Sequence, residues 1–197
     1  MNLAFKRIVA FIFDMIILTI LLMIVRGVFH GNDDTYARLS EESTVVLEEL
    51  IDGKITPNQY LSKTELISYD MGKRTIPYSI VAIVIYILYY IVYQTKKQGQ
   101  TLGKRIMNIR IVSSEGNSTD MNNMLIRSLI VNSIFLTSID LLLLMVLVKD
   151  TYLNISTTLA AISGGVLILS ILMMMFRKDG RTIHDIVAKT MVIDTKN

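Results

Sequence analysis

Four apolar runs, at about 8–26, 77–95, 126–148 and 155–176, dominate this 197-residue chain. A bilayer's hydrocarbon core is about 30 Å thick, and a helix rising 1.5 Å per residue crosses it in about 20 residues. Each run meets that length. Apolar residues make up 52% of the sequence, too many for a water-soluble domain of this size. An all-α membrane protein with four transmembrane helices is therefore expected. The first run follows Lys6 and Arg7 as a signal peptide would, but it carries Asp14 and lacks a small-residue cleavage site, so an uncleaved anchor is expected. The absence of cysteine excludes disulfides, zinc–thiolate sites and thiol chemistry.

Four spans would put both termini and the segment 96–125 on one side and the loop 27–76 on the other. The first side then holds thirteen Lys and Arg residues against seven on the other, which carries ten of the seventeen acids. Basic residues near span ends resist translocation, so the N and C termini are expected to be cytoplasmic. Tyr89, Tyr90 and Tyr93 precede Lys96, as amphipathic rings at a headgroup boundary do.

The loop 27–76 has the composition of an exported helical insertion, with nine acids against five bases. Thr56, Pro57 and Gln59 form a helix-start signature, predicting a helix over 57–68. The stretch before it shows helical periodicity and ends at Gly53, a C-capping residue. A helical hairpin on the outer surface follows. "DGKI" resembles part of an EF-hand, but Leu50 and Gln59 fall where calcium needs carboxylates, so no calcium site is expected.

Within the spans, polar residues must face the bundle interior. Arg7 precedes Asp14 by seven positions on the same helical face, which permits partial compensation, and Asp14 is expected to be protonated or paired with a cation. Ser133, Thr137 and Asp140 form a stripe through the third run, with Ser128 and Asn132 alongside. Ala160, Ala161, Gly164 and Gly165 predict a close helix–helix approach. Met173 to Met175 read as apolar filler, since no histidine accompanies them; no metal or other cofactor is expected.

The segment from Lys96 to Gly116 contains Gly99, Gly103 and Lys104, but three residues rather than four separate the glycines, and Arg105 stands where a phosphate loop needs Ser or Thr. It reads better as a short interfacial helix around Leu102 and Ile106, whose Lys104 and Arg105 attract anionic headgroups, followed by a brief strand. "GQTLGKRIMNIRIV" from Gly99 and "GRTIHDIVAKTMVI" from Gly180 share Gly99 with Gly180 and Thr101 with Thr182. Two tandem units are expected, with residues 109–112 pairing with 190–193. Arg181 and Asp185 should then pair with the Lys104–Arg105 segment. His184 and Asp185 are adjacent on a helix and do not face each other, so no catalytic dyad and no enzyme activity are expected.

Taken together, Arg7 and Asp14 in the first run, "GQTLGKRIMNIRIV" after the second, Arg127 entering the third and "GRTIHDIVAKTMVI" at the end resemble the RDD family of small bacterial membrane proteins, named for an arginine and two aspartates. Asp140 is the preferred second aspartate, with Asp185 as the competing assignment. The long loop exceeds the short connection of the family. Some members are described as similar to sodium or proton antiporters, while others accompany proteases or membrane quality-control assemblies. The resemblance thus implies two readings. One is ion or proton transport through Asp14 and Asp140, with a homodimer completing the pathway. The other is a non-transporting accessory role beside a membrane-protein partner. Transport is the leading expectation. Anionic lipid headgroups are expected at the basic face, and no nucleic acid.

Overall fold

A computed structural model describes residues 2–31, 33–115, 119–132, 134–177 and 179–195. The first helix, α1 (Leu3–His30), starts where the Asn2 side chain accepts the Ala4 N–H, and its 28 residues span about 42 Å. It is followed by α2 (Asp34–Ile51), α3 (Pro57–Arg74) and α4 (Ile76–Ile87). A π-helical turn over Leu88–Tyr93 and a last α turn, α5 (Gln94–Lys96), continue α4. Then come α6 (Leu102–Ile106), β1 (Ile109–Ser113), α7 (Met121–Val131), α8 (Ile134–Val146), α9 (Lys149–Phe176), α10 (Ile183–Val187) and β2 (Thr190–Asp194).

Among the described residues, three helices are long and apolar enough to cross a membrane: Leu3–His30, Ile76–Lys96 and Lys149–Phe176. The third expected span is not one straight helix. It divides into α7 and α8, bent by 62°. Asn132 caps the end of α7 with a non-helical backbone, and asparagine is among the weaker helix formers. The Ser128 hydroxyl, one turn earlier, donates to the Tyr90 carbonyl at 3.0 Å and docks α7 on the π-turn.

At one end of the helices lies a small platform made twice. Gly99 and Gly180 have left-handed backbones, Thr101 and Thr182 cap five-residue helices, and Asn108 and Lys189 turn the chain through positive φ into β1 and β2. The strands pair antiparallel, Ile109 with Asp194 and Ser113 with Thr190, so that Ile111 opposite Val192 marks a local two-fold axis. Thus the expected strand pairing is present, extended by one residue in each strand. Ile109, Ile111 and Val192 form a core with Ala10 of α1 and Met124 of α7. Lys6 and Asp194 form an ion pair at its edge, which ties the start of α1 to the end of β2.

Glycine makes the platform's closest approaches possible. A Cβ on Gly103 would stand 2.1 Å from the Ala10 carbonyl oxygen, and one on Gly99 would stand 2.1 Å from the Ile111 carbonyl oxygen. Both contacts are with backbone, which cannot move aside as a side chain can. By contrast, nothing lies within 4 Å of a Cβ on Gly164 or Gly165. The small-residue face of α9 is therefore not a helix–helix contact within this chain, because the neighbouring helices leave a cavity beside it.

At the opposite end α2 and α3 form a hairpin around Leu39, Val46 and Ile67. Thr56 and Gln59 complete a capping box, and Gly53 turns with φ of 69°. The second helix runs to Arg74, beyond the expected 68, because its last turn is held to the bundle: Gly72 meets Leu144, and Arg74 pairs with Asp33. Lys149 reaches Asp70, and Tyr69 lies against Tyr152. Replacing Gly103 by Ala should cost about 3 kcal/mol, read as a fall of roughly 6–12 °C in melting temperature in detergent. Gly165→Ala should leave it unchanged or slightly raised.

A buried arginine–aspartate clamp and the cavity above it

Asp14 sits about three turns into α1, buried to 1% exposure. Its Oδ1 accepts the Tyr89 hydroxyl at 2.6 Å and the Gly103 N–H at 2.8 Å, and its Oδ2 accepts the Thr101 hydroxyl at 2.5 Å. Tyr89 in turn accepts the Leu102 N–H at 3.2 Å. One carboxylate thus ties α1, the π-turn and the start of α6 together. A π-turn shifts the register of following side chains relative to an α-helix, a device common at functional sites. In this one, Tyr89 reaches Asp14 and Tyr90 lies buried behind it.

Asp185 is fully buried at 0% exposure. Its Oδ2 accepts Arg7 Nη2 at 2.6 Å and, closing a capping box, the Thr182 hydroxyl at 2.7 Å and N–H at 3.1 Å. Its Oδ1 is paired with Arg127 Nη1. Arg7 Nη1 also donates to the Gly180 carbonyl at 2.6 Å, and Arg127 Nη1 to the Thr190 hydroxyl at 3.1 Å. Two guanidiniums share one buried carboxylate. Such an arrangement adds little net stability over an apolar core, but losing its central charge is expensive.

Several sequence expectations are redistributed. Arg7 compensates Asp185, not Asp14, because its long side chain extends toward the platform while Asp14 points at α6, where neutral donors converge. Asp185 does not pair with Lys104 or Arg105: as the third residue of α10 it turns inward to its own cap and the two arginines. Arg181 pairs with Asp179, and Arg105 is exposed. The polar stripe of the third run does not form an interior face. Thr137 is exposed, since the bend at Asn132 breaks the periodicity, and Ser133 lies outside the described residues. Asp140 accepts the Tyr152 hydroxyl at 3.2 Å, near the hairpin end, and meets neither Asp14 nor Arg7.

A cavity of about 280 Å³ opens beside the clamp, between α1, α7 and α9. Arg7, Lys104 and Arg127 give it a cationic floor beside the His184 ring; Asp14, Tyr90 and Asn132 also line it. Burial lowers the Lys104 ammonium to about 7, with Asp14 partly opposing and Arg127 and Arg7 reinforcing the shift. Burial, then Arg127, Arg7 and Lys104, push the His184 imidazole far below its ordinary value, so it is neutral. Among the described residues no group of three His, Asp or Glu side chains could hold a metal ion.

Sequence reasoning assigned Tyr89 and Tyr90 no part in the site and did not single out Thr190 or the pairing role of Arg127. Thr182 with Asp185 three residues on is a capping-box pattern that could have fixed the direction of Asp185. The tyrosines gave no signal beyond that of a headgroup belt.

The fold and clamp define a predominantly helical protein of the membrane type, with buried charges joining its helices to a repeated polar platform. A model of the RDD family matches residues 2–189, nearly the whole chain, and the protein belongs to that family. No curated protein and no solved structure matches it.

Asp185→Asn would strand two buried guanidiniums and should lower stability by about 3–5 kcal/mol, whereas Asp179→Asn at the surface should leave the melting temperature unchanged. Because the His184 proton affinity is depressed by folding, the unfolded chain binds more protons at acid pH, and the contribution of the neutral ring is present above about pH 6.5 and lost below it. Stability in detergent should fall by about 1.4 kcal/mol per pH unit between about 6.5 and 5 from this group. His184→Gln should flatten that slope.

Proposed function

We propose that this RDD protein is a non-transporting accessory protein of a bacterial cell membrane, a rigid frame that presents the α2–α3 hairpin to a membrane-protein partner. The saturation of Asp14 carries this reading. Both its oxygens are taken by donors that join three elements, so a proton or ion cycling there would undo the joint. Asp140 lies apart, bonded to Tyr152, and the cavity that Asp14 lines does not reach it. Neither of the two cavities beside α9 is lined by Asp140, and that separation favours the accessory reading.

The hairpin offers a surface suited to a partner. Val45, Leu47, Ile51, Leu61 and Leu66 remain exposed on it, among a surplus of acids. Apolar side chains ringed by charge are what protein interfaces use. The surplus of bases at the platform end favours a cytoplasmic position for that end and an external one for the hairpin. Replacing residues 34–73 by a Gly-Ser linker should abolish co-purification of a partner from native membranes while helix content and monodispersity persist. In proteoliposomes the intact protein should give no ion-driven pH change. A pH change that Asp14→Asn abolishes in a folded protein would establish transport instead.

A further inference from the structure

Around the cavity beside the clamp three cations, Arg7, Lys104 and Arg127, face two carboxylates, and the oxygens of one of these, Asp14, are taken by Tyr89, Thr101 and Gly103. Asp185 serves both Arg7 and Arg127, and the Lys104 ammonium meets no carboxylate within 4 Å among the described residues. Arg127, 5% exposed, uses only Nη1 in its hydrogen bonds, leaving donors on Nε and Nη2. The Tyr90 hydroxyl, on a residue 3% exposed, has no partner, nor has the Asn132 amide nitrogen. Buried donors without acceptors are costly unless something occupies the space they face.

The other walls are apolar. Ile8, Phe11, Leu167, Ile171 and Met174 line the same cavity. It adjoins a second one of about 270 Å³, sharing Phe11, Tyr90, Leu167 and His184, which follows α9 as far as Ser163 and Gly164. From Met174 to Ser163 the helix rises about 16 Å. The space beside Gly164 is open, and Leu167 and Ile171 are partly exposed on the outer surface of α9. A polar, donor-rich end and a long apolar extension along a membrane helix describe the two halves of one ligand.

We propose that the paired cavities bind a single anionic lipid, its phosphate held by Lys104, Arg127 and Tyr90 and an acyl chain lying along α9 toward Gly164. Guanidinium and ammonium donors lining one cavity suit the several oxygens of a phosphate. A free anion would fill only the polar end and leave the apolar extension empty. This site is separate from the hairpin on which the accessory role rests, so either can fail without the other.

The test uses the full-length protein in nanodiscs of phosphatidylglycerol and phosphatidylcholine, with bound lipid read by native mass spectrometry after transfer to detergent. One phosphatidylglycerol should be retained in preference to phosphatidylcholine. Lys104→Gln should weaken its retention about tenfold through loss of a charged donor. Gly164→Leu, far from the charges, should displace the acyl chain and weaken retention as well; both variants should stay monodisperse. Inorganic phosphate at millimolar concentration should not compete. Equal retention of the two lipids, or retention unchanged in both variants, would overturn the proposal. Displacement by phosphate alone, with Gly164→Leu having no effect, would show a free-anion site and overturn the lipid assignment.

Discussion

The carboxylate of Asp185 is the point on which the platform end depends. A charge at zero exposure is tolerable only when surrounded by donors, and Asp185 draws them from three places: Arg7 on α1, Arg127 on α7 and the cap of its own helix. Satisfying it fixes where α1 enters, how α7 approaches and how α10 sits. Since α10 leads within three residues into β2, the same carboxylate also sets the strand that pairs with β1.

A second joint, at Asp14, works by different chemistry. Its acceptors meet neutral hydroxyl and amide donors, and backbones approach so closely that a single methyl on Gly103 would collide with the Ala10 carbonyl. The two halves of the platform therefore share a backbone plan, with Thr-capped helix, left-handed turn and strand, yet are anchored unlike each other. The first half receives a carboxylate from a neighbouring helix; the second carries its own and sends it to neighbouring arginines. Local symmetry in the sheet thus coexists with an asymmetric charge distribution, and the uncompensated bases gather on one side, where the cavity lies.

How much of this could be read from the residues varies with range. The apolar runs announced membrane-length helices, "TPNQ" announced the start of α3, and the recurrence of Gly and Thr announced the repeated platform. These signals are local: length, capping chemistry and turn chemistry act within a few residues. The bend in the third run was not legible because hydropathy measures apolarity and not continuity: α7 ends at Asn132, while α7 and α8 together keep the length and composition of a span. Pairing of charges misled for a related reason. Helical spacing put Arg7 and Asp14 on one face, but long side chains bridge to other elements, and the partners of each lay 75 or more positions away.

The sequence by itself determined that the chain is helical and apolar enough for a membrane, that it carries a polar hairpin insertion, and that it belongs with the RDD proteins, because periodicity, composition and motif order are properties of the linear chain. Only the tertiary structure decided which carboxylate meets which cation, why Gly103 must lack a side chain, and that the bases left over face an amphipathic cavity. Those facts depend on distances between elements remote in sequence, and a buried charge finds its partner by desolvation and geometry across that distance, not by spacing along one helix.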